Sequence, residues 1–131
     1  MNKTLNELKE EFKEHVHLTP SNLDERVMRI PALKHYWVEW LITAKRERYK
    51  LLNDKKRIKK ALIEAEVGKS VVSLTKQTLD KMEDRDELQI INEQLQELDF
   101  TIEYLDYAVG IMTFIGNDVK NILELQRQQM E

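Results

Sequence analysis

The stretch DELQIINEQLQELDFTIEYLDYAVGIM, from Asp86 to Met112, decides the fold, because its apolar residues recur at alternating spacings of three and four. All eight positions of that spacing are apolar: Leu88, Ile91, Leu95, Leu98, Ile102, Leu105, Val109 and Met112. This seam is typical of a long helix that packs along another helix. Further apolar residues continue to Leu125, so we predict a C-terminal helix over 87–131.

A second stretch, 32–67, has the same spacing, and eight of its ten seam positions are apolar or Ala. At ~1.5 Å per residue, such a helix is about 50 Å long. Pro31 suits its first turn, where a missing N–H has no intrahelical partner, and Gly68 suits its C-cap. We therefore predict a second long helix that partners the first.

The N-terminal segment 1–31 is predicted to hold one short helix and a loop. Thr4 with Glu7 forms a capping-box pattern that opens the helix. One apolar face follows at helical spacing, made of Leu5, Leu8, Phe12 and Val16. Pro20 and Pro31 each restrict the residue before them, so 17–31 is interpreted as a loop with one helical turn around Asn22–Met28.

These elements predict an all-α fold: an antiparallel hairpin of two long helices with a short N-terminal helix laid against it. The chain forms one helical domain, 1–131, in this interpretation. Its parts are the N-terminal helix and loop (1–31), a basic helix (32–67), a connector (68–86) and a C-terminal oligomerisation helix (87–131). A content of three Gly, two Pro and 34% charged residues fits long exposed helices.

The apolar surface from Phe100 to Leu125 is wider than one partner helix covers. We therefore predict a homo-oligomer, because a large exposed apolar patch is an association site. The residues expected at the interface are Leu98, Ile102, Leu105, Val109, Ile111, Ile115 and Ile122. The alternative is that the N-terminal helix and residues 71–74 cover this surface within one chain.

Positive charge is concentrated in one segment of an otherwise acidic chain. The whole protein has a net charge of −3, yet Lys45 to Lys60 holds nine basic residues and two acidic ones. The candidate nucleic-acid-binding residues are Lys45, Arg46, Arg48, Tyr49, Lys50, Lys55, Lys56, Arg57, Lys59 and Lys60. Such a surface favours a polyanion and phosphate contacts. Pairing with the acidic C-terminal helix and docking on a membrane surface are the alternatives.

Two kinds of aromatic residue lie in or near this basic segment. Tyr49 lies off the seam and inside the cluster, so it is the candidate for stacking on an unpaired base. Trp37 and Trp40 lie on the seam, so we interpret them as core residues.

The sequence contains no pattern that indicates an enzyme. It has no Cys, no Gly-rich phosphate loop and no nucleophile elbow. His15, His17 and His35 are not spaced for a metal site, so no catalytic residue, metal or cofactor is predicted. No apolar run reaches the roughly 20 residues that span a bilayer, and no signal-peptide core is present. We expect a soluble intracellular protein.

The order of four weak motifs resembles a known family. A short helix with LNELKEEF is followed by NLDERVMRIPALKHYW, by a basic helix that ends KKALIEAEVG, and by DKMEDRDELQIINEQLQELDFTIEYLDYAVGIM. In this order they resemble the UvsY-like phage recombination mediator family, over most of the chain.

The resemblance implies a ring-like homo-oligomer of six or seven subunits that binds single-stranded DNA. It implies contacts with a RecA-like recombinase and a single-strand-binding protein, and a place in the cytoplasm of the infected host cell. The function implied is loading of the recombinase in place of the single-strand-binding protein. A family Lys-Ala-Arg motif falls on Lys60-Ala61-Leu62, where Leu62 replaces the Arg and Arg57 or Lys59 is expected to supply the charge.

The rival interpretation is a structural or adaptor helical bundle whose basic face docks on an acidic protein. The apolar seam argues against a membrane-surface helix, because that face is needed inside the bundle. Binding of an oligonucleotide at two salt concentrations separates the nucleic-acid and adaptor readings.

Overall fold

The protein is described by a computed structural model that covers residues 1–17, 23–69 and 86–130. Those residues form three helices: α1 (Leu5–His15), α2 (Leu23–Lys69) and α3 (Asp86–Met130). No strand occurs in this part of the chain. The predicted all-α class, with one short and two long helices, is confirmed.

Helix α1 begins where the capping pattern places it. The Thr4 Oγ1 accepts a hydrogen bond from the Glu7 N–H at 3.2 Å, which satisfies one of the free donors of the first turn. Leu8 and Phe12 are buried on the predicted apolar face. The cap thus fixes the start of α1, and one apolar stripe fixes the side that packs.

Helix α2 begins at Leu23, nine residues before the predicted start, and runs through Pro31. The one helical turn expected around Asn22–Met28 is, from Leu23 onward, part of α2, and the loop predicted for the rest of 23–31 is wrong. Residues 18–22, with Pro20, lie outside the described part. Ile30 is buried, and Arg29 pairs with Glu25 one turn back at 3.5 Å. Packing and this local ion pair offset the backbone hydrogen bond that Pro31 cannot donate. Gly68 is not a C-cap, because α2 continues to Lys69.

Helix α3 contains the whole stretch from Asp86 to Met112, and most of its predicted seam is buried. Leu88, Ile91, Leu95, Leu98, Leu105 and Met112 of the eight seam positions are buried. The helix also passes through Gly116 without a break. The predicted connector 68–86 falls mostly outside the described residues; its described ends, 68–69 and Asp86, are helical. The division into one domain with these boundaries stays a prediction.

Contacts group the chain into two compact units. Unit 1 comprises Met1–Ala44 and Thr101–Glu131, and unit 2 comprises Lys45–Phe100. In unit 1, Phe12 lies edge-on to Trp37 and to Tyr104, with ring centroids 5.2 and 6.0 Å apart. Such aromatic pairs add to the stabilisation from burial. The short α1 therefore links the α2 and α3 segments of unit 1.

In the described residues of unit 2, one segment of α2 packs along one segment of α3. Residue Arg48 of α2 pairs with Asp99 of α3, while residues near 58 lie opposite Ile91, so the segments are antiparallel. Leu88, Ile91, Leu95 and Leu98 of α3 are buried, whereas no α2 residue in 45–65 is fully buried. The basic half of α2 is thus a partly exposed surface helix.

Candidate nucleic-acid interface

The predicted binding residues all lie on the α2 segment of unit 2. Lys45, Arg46, Tyr49, Lys50, Lys56, Arg57 and Lys60 are exposed, and Arg48, Lys55 and Lys59 are half-exposed. Tyr49 has 67% of its surface exposed, so its ring is available for stacking. Trp37 is fully buried in unit 1, as predicted, while Trp40 is half-buried there.

One side of this segment carries charge that is partly neutralised. Arg48, Lys55 and Lys59 are seven and four residues apart, which places them on one side of a helix. The Arg48 Nε donates to Asp99 Oδ1 of α3 at 2.6 Å, and Lys55 and Lys59 also have polar interactions. Pairing with the acidic helix, one of the alternatives from the sequence, is therefore observed at Arg48.

A second side presents cations to solvent. Arg46, Lys50, Arg57 and Lys60 are spaced by four, seven and three residues, so they form a row, here termed the basic stripe. Among the described residues, no ion pair involves Arg46, Lys50 or Lys60. The stripe extends about 21 Å along α2 at ~1.5 Å per residue. Its exposed cations, like exposed Lys45 and Lys56, are placed to meet phosphates.

Arg57 differs from the other stripe residues, because its guanidinium donates to the Asp54 carboxylate one turn back. This exposed pair is worth little in stability. Leu62, at the position of the family Arg, is half-buried, which explains an apolar residue there. Lys60 is exposed, as a phosphate contact requires.

An open groove borders the basic stripe within unit 2. Its volume is about 430 Å³. The walls are mainly aliphatic, with polar groups at the rim, and the lining residues are Leu51, Asp54, Arg57, Ile58, Ala61, Ile91 and Gln94. Sequence reasoning missed this feature. Its only signal was the pair of small residues, Ala61 and Ala65, at the end of the α2 seam.

The predicted oligomerisation residues divide into three groups. Leu98 and Leu105 are buried within the chain itself. Ile102, Val109, Ile111 and Ile115 are half-exposed, and the side chain of Ile122 lies outside what the structure describes. The most exposed large apolar side chains of α3 in unit 1 are instead Tyr107, Phe114 and Leu125. They were not among the seven residues expected at the interface, although they fall within the apolar stretch from Phe100 to Leu125.

Unit 1 also contains a polar network that the sequence did not predict. The Lys3 Nζ donates to Glu11 Oε2 at 2.7 Å and to the Tyr36 hydroxyl at 3.1 Å, and that hydroxyl donates to Glu11. Those hydrogen bonds raise the pKa of Lys3 to about 12. Partial burial raises the pKa of Glu11, but the bonds from Lys3 and Tyr36 outweigh it and hold that pKa below its ordinary value.

Neither a metal site nor a membrane span was found in the described ranges. No group of three or more His, Asp or Glu side chains is placed to hold a metal ion among residues 1–17, 23–69 and 86–130. His15 instead accepts a hydrogen bond at Nδ1 from the Trp37 indole N–H, at 3.1 Å. No helix in those same ranges is both long enough and apolar enough to cross a bilayer.

Crystal structures of one phage protein have the same architecture. A crystal structure of the bacteriophage T4 recombination mediator protein UvsY superposes with a TM-score of 0.81 at 17% identity, covering 97% of this chain and 99% of that one. A second crystal form gives 0.81 at 18% identity, covering 99% and 100%. The chain shares the UvsY fold. A third UvsY crystal form gives a TM-score of 0.71 at 16% identity.

The resemblance to UvsY that the order of motifs indicated is thus confirmed for the fold. No protein-family model matches the chain, and no curated protein matches it in sequence. At such low identity the shared fold does not carry function with it. Any nucleic-acid-binding function therefore depends on the side chains of the basic segment.

Proposed function

We propose that this chain is a recombination mediator that binds single-stranded DNA through the basic segment of α2. The observation that supports the proposal most is the basic stripe, where Arg46, Lys50 and Lys60 have no ion-pair partner among the described residues. Lysine and arginine neutralise phosphates and release counterions whatever the base sequence. The UvsY fold adds weight, because UvsY is a recombination mediator protein.

The proposed mechanism depends on many weak contacts. Four stripe cations on one strand correspond to a salt slope of about −2.8, at about −0.7 per phosphate on single strands. One copy then binds weakly, and several copies in a ring bind one strand at high effective concentration. Held in this way, the strand is released by the single-strand-binding protein and becomes available to a RecA-like recombinase. This places the protein in the cytoplasm of a phage-infected cell, without catalysis of its own.

A salt titration of oligonucleotide binding tests the proposed surface. The double variant Lys50→Ala with Lys60→Ala should flatten the slope by about 1.4, because two phosphate contacts are lost. The matched control is Lys34→Ala with Lys120→Ala, which removes the same charge away from the basic stripe. Fluorescence anisotropy with a labelled single strand gives both slopes. Equal behaviour of the two double variants contradicts the assignment.

A loading assay tests the mediator role itself. Recombinase filament formation is measured on a strand already coated with single-strand-binding protein, with and without this protein. Wild type should shorten the lag, and the stripe variant should lose that effect while the control double variant keeps it. Failure of the wild type to bind DNA, together with capture of an acidic protein through the same lysines, would favour the adaptor alternative instead.

A further inference from the structure

The open groove beside the basic stripe shares only Arg57 with the phosphate contacts proposed above. It lies between the α2 and α3 segments of unit 2, and it contains Ile58 and Ala61 on one wall and Ile91 on the other. Ala61 is exposed although it occupies a seam position, because its methyl group is too short to close the space. The helices therefore leave apolar surface uncovered next to a row of cations.

The charges at the groove limit what it can receive. Arg57 of the basic stripe lines the groove, and exposed Lys60 directly precedes Ala61 of its lining. Asp54, the acidic residue in the lining, is paired with Arg57. An occupant has to bring an apolar or aromatic body and a negative charge placed beside it. A nucleotide of a single strand combines these two features, with its base on one side of the backbone and its phosphate on the other.

We propose that this groove receives bases of the single strand whose phosphates lie on the basic stripe. This inference rests on the proposed function, and it adds a base-binding site to a surface otherwise assigned to phosphates. Arg57 belongs both to the basic stripe and to the groove lining, so the two sites are continuous. A strand on the stripe therefore has its bases within reach of the groove.

The groove has the size and chemistry for an unstacked base. Its volume of about 430 Å³ falls within the range of small-molecule sites, roughly 300–1,000 Å³. Arg57 offers a guanidinium plane, on which bases stack as they do on aromatic rings. Gln94, at the rim, offers an amide that both donates and accepts hydrogen bonds. Since the walls are aliphatic, the site accepts any base.

A strand that has lost its bases separates this inference from the phosphate contacts. The probes are an oligothymidylate and an abasic deoxyribose-phosphate strand of the same length. Wild type should bind the base-bearing strand about tenfold more tightly, within the range expected when a base is stacked. Ala61→Leu fills the groove without changing charge, and leucine is nearly as good a helix former as alanine. This variant should lose the tenfold preference and keep its affinity for the abasic strand.

Two control variants locate the effect. Ala65→Leu adds the same side chain one turn further along α2, at an exposed position outside the groove lining, and should keep the preference. Tyr49→Leu removes the exposed ring in the basic segment. Loss of the preference in Tyr49→Leu with its retention in Ala61→Leu overturns the groove assignment in favour of stacking on Tyr49.

The remaining outcomes separate failure of the groove from failure of the function. Equal wild-type affinity for the two strands overturns the base site and leaves the phosphate surface standing. No binding of either strand overturns the proposed function, and the base site with it. A change in sedimentation of Ala61→Leu without a change in strand preference shows that the groove holds a side chain of a second copy, which also overturns the inference.

Discussion

At the scale of single residues, the best-defined interactions lie at the N-terminus rather than at the basic segment. Lys3, Glu11 and Tyr36 form a closed set of hydrogen bonds, and the Lys3 ammonium also lies 5.5 Å from the centroid of the Trp40 ring. Fully buried Trp37 has its one donor satisfied by His15. These contacts hold α1 against α2 in unit 1, and they make stability depend on pH.

Replacement of Glu11 by Gln should destabilise the protein at neutral pH by up to about 1 kcal/mol, because the ion pair with Lys3 is lost. The pKa of Glu11 lies below its ordinary 4.5 in the folded state. Its contribution is therefore complete above pH 4.5 and disappears as the pH falls through the lowered value. Urea unfolding of wild type and variant from neutral to acidic pH should show curves that converge in acid.

The control for this experiment is Glu10→Gln, since Glu10 forms an exposed pair with Lys13 at 3.3 Å. The free energy of unfolding of that variant should be closer to that of wild type at neutral pH. The contribution of Lys3 has the opposite pH dependence: its pKa is raised from 10.5 to about 12, so its stabilisation is complete below pH 10.5 and is lost as the pH rises through about 12. A constant gap between wild type and Glu11→Gln at every pH contradicts the ion-pair account.

At the scale of helices, the sequence predicted what periodicity controls and missed what tertiary contacts control. The seam of α3 and the Thr4 cap are local patterns, and the structure has both. Helix over 23–31 depends on burial of Ile30, which no local pattern near two prolines reveals. The groove depends on which α3 residues face Ala61. The pairing of two distant segments cannot be predicted from the sequence of either segment alone.

Pro31→Ala should stabilise the protein by about 2 kcal/mol. A proline inside a helix costs roughly 3 kcal/mol of folding free energy, which alanine recovers. The unfolded chain of the variant is more flexible, however, and this lowers the gain in stability by about 0.4–1 kcal/mol. Ala32→Gly is the companion variant. It should cost about 1 kcal/mol if position 32 is interior, and only a few tenths if the helix begins there. Unfolding in urea measures both; a destabilised Pro31→Ala variant contradicts a helix that begins at Leu23.

The two glycines of α3 should respond differently to alanine. A Cβ at Gly110 meets nothing within 4 Å, whereas a Cβ at Gly116 lies 3.3 Å from the Ile30 Cγ2. Gly110→Ala should therefore raise the free energy of unfolding by the full helix preference of alanine over glycine, about 0.5–1 kcal/mol. Gly116→Ala should raise it by less, because Ile30 has to move. Thermal unfolding compares them. Equal gains would show that Ile30 does not pack against Gly116.

At the scale of the whole molecule, the open question is how weak individual contacts give firm binding. The net charge of −3 excludes strong non-specific attraction to DNA by the chain as a whole, so the proposed DNA binding has to rely on the local row of cations. With about four phosphate contacts, one copy is a weak ligand for a strand. Self-association is then a requirement of the mechanism, and α3 is where it is expected.

The exposed apolar side chains of unit 1 indicate where to disrupt that association. Tyr107 and Phe114 are seven residues apart and 63% and 67% exposed, so they share one uncovered side of α3. Tyr107→Glu with Phe114→Glu should convert the oligomer to monomers while the helix content stays unchanged, because both side chains lie outside the core. Sedimentation velocity at micromolar concentration, with circular dichroism on the same samples, makes the comparison.

Lys120→Glu is the control, since it places a carboxylate at another exposed position of α3. The monomeric variant keeps its basic stripe, so its binding to a short strand should match that of one wild-type copy. Its affinity for a long strand should fall by about 10²–10⁴, which is the increase in affinity expected when several linked copies bind one strand. A monomeric variant with undiminished affinity for long strands shows that multivalency is not the source of binding. A wild type that sediments as a monomer contradicts the assembly itself.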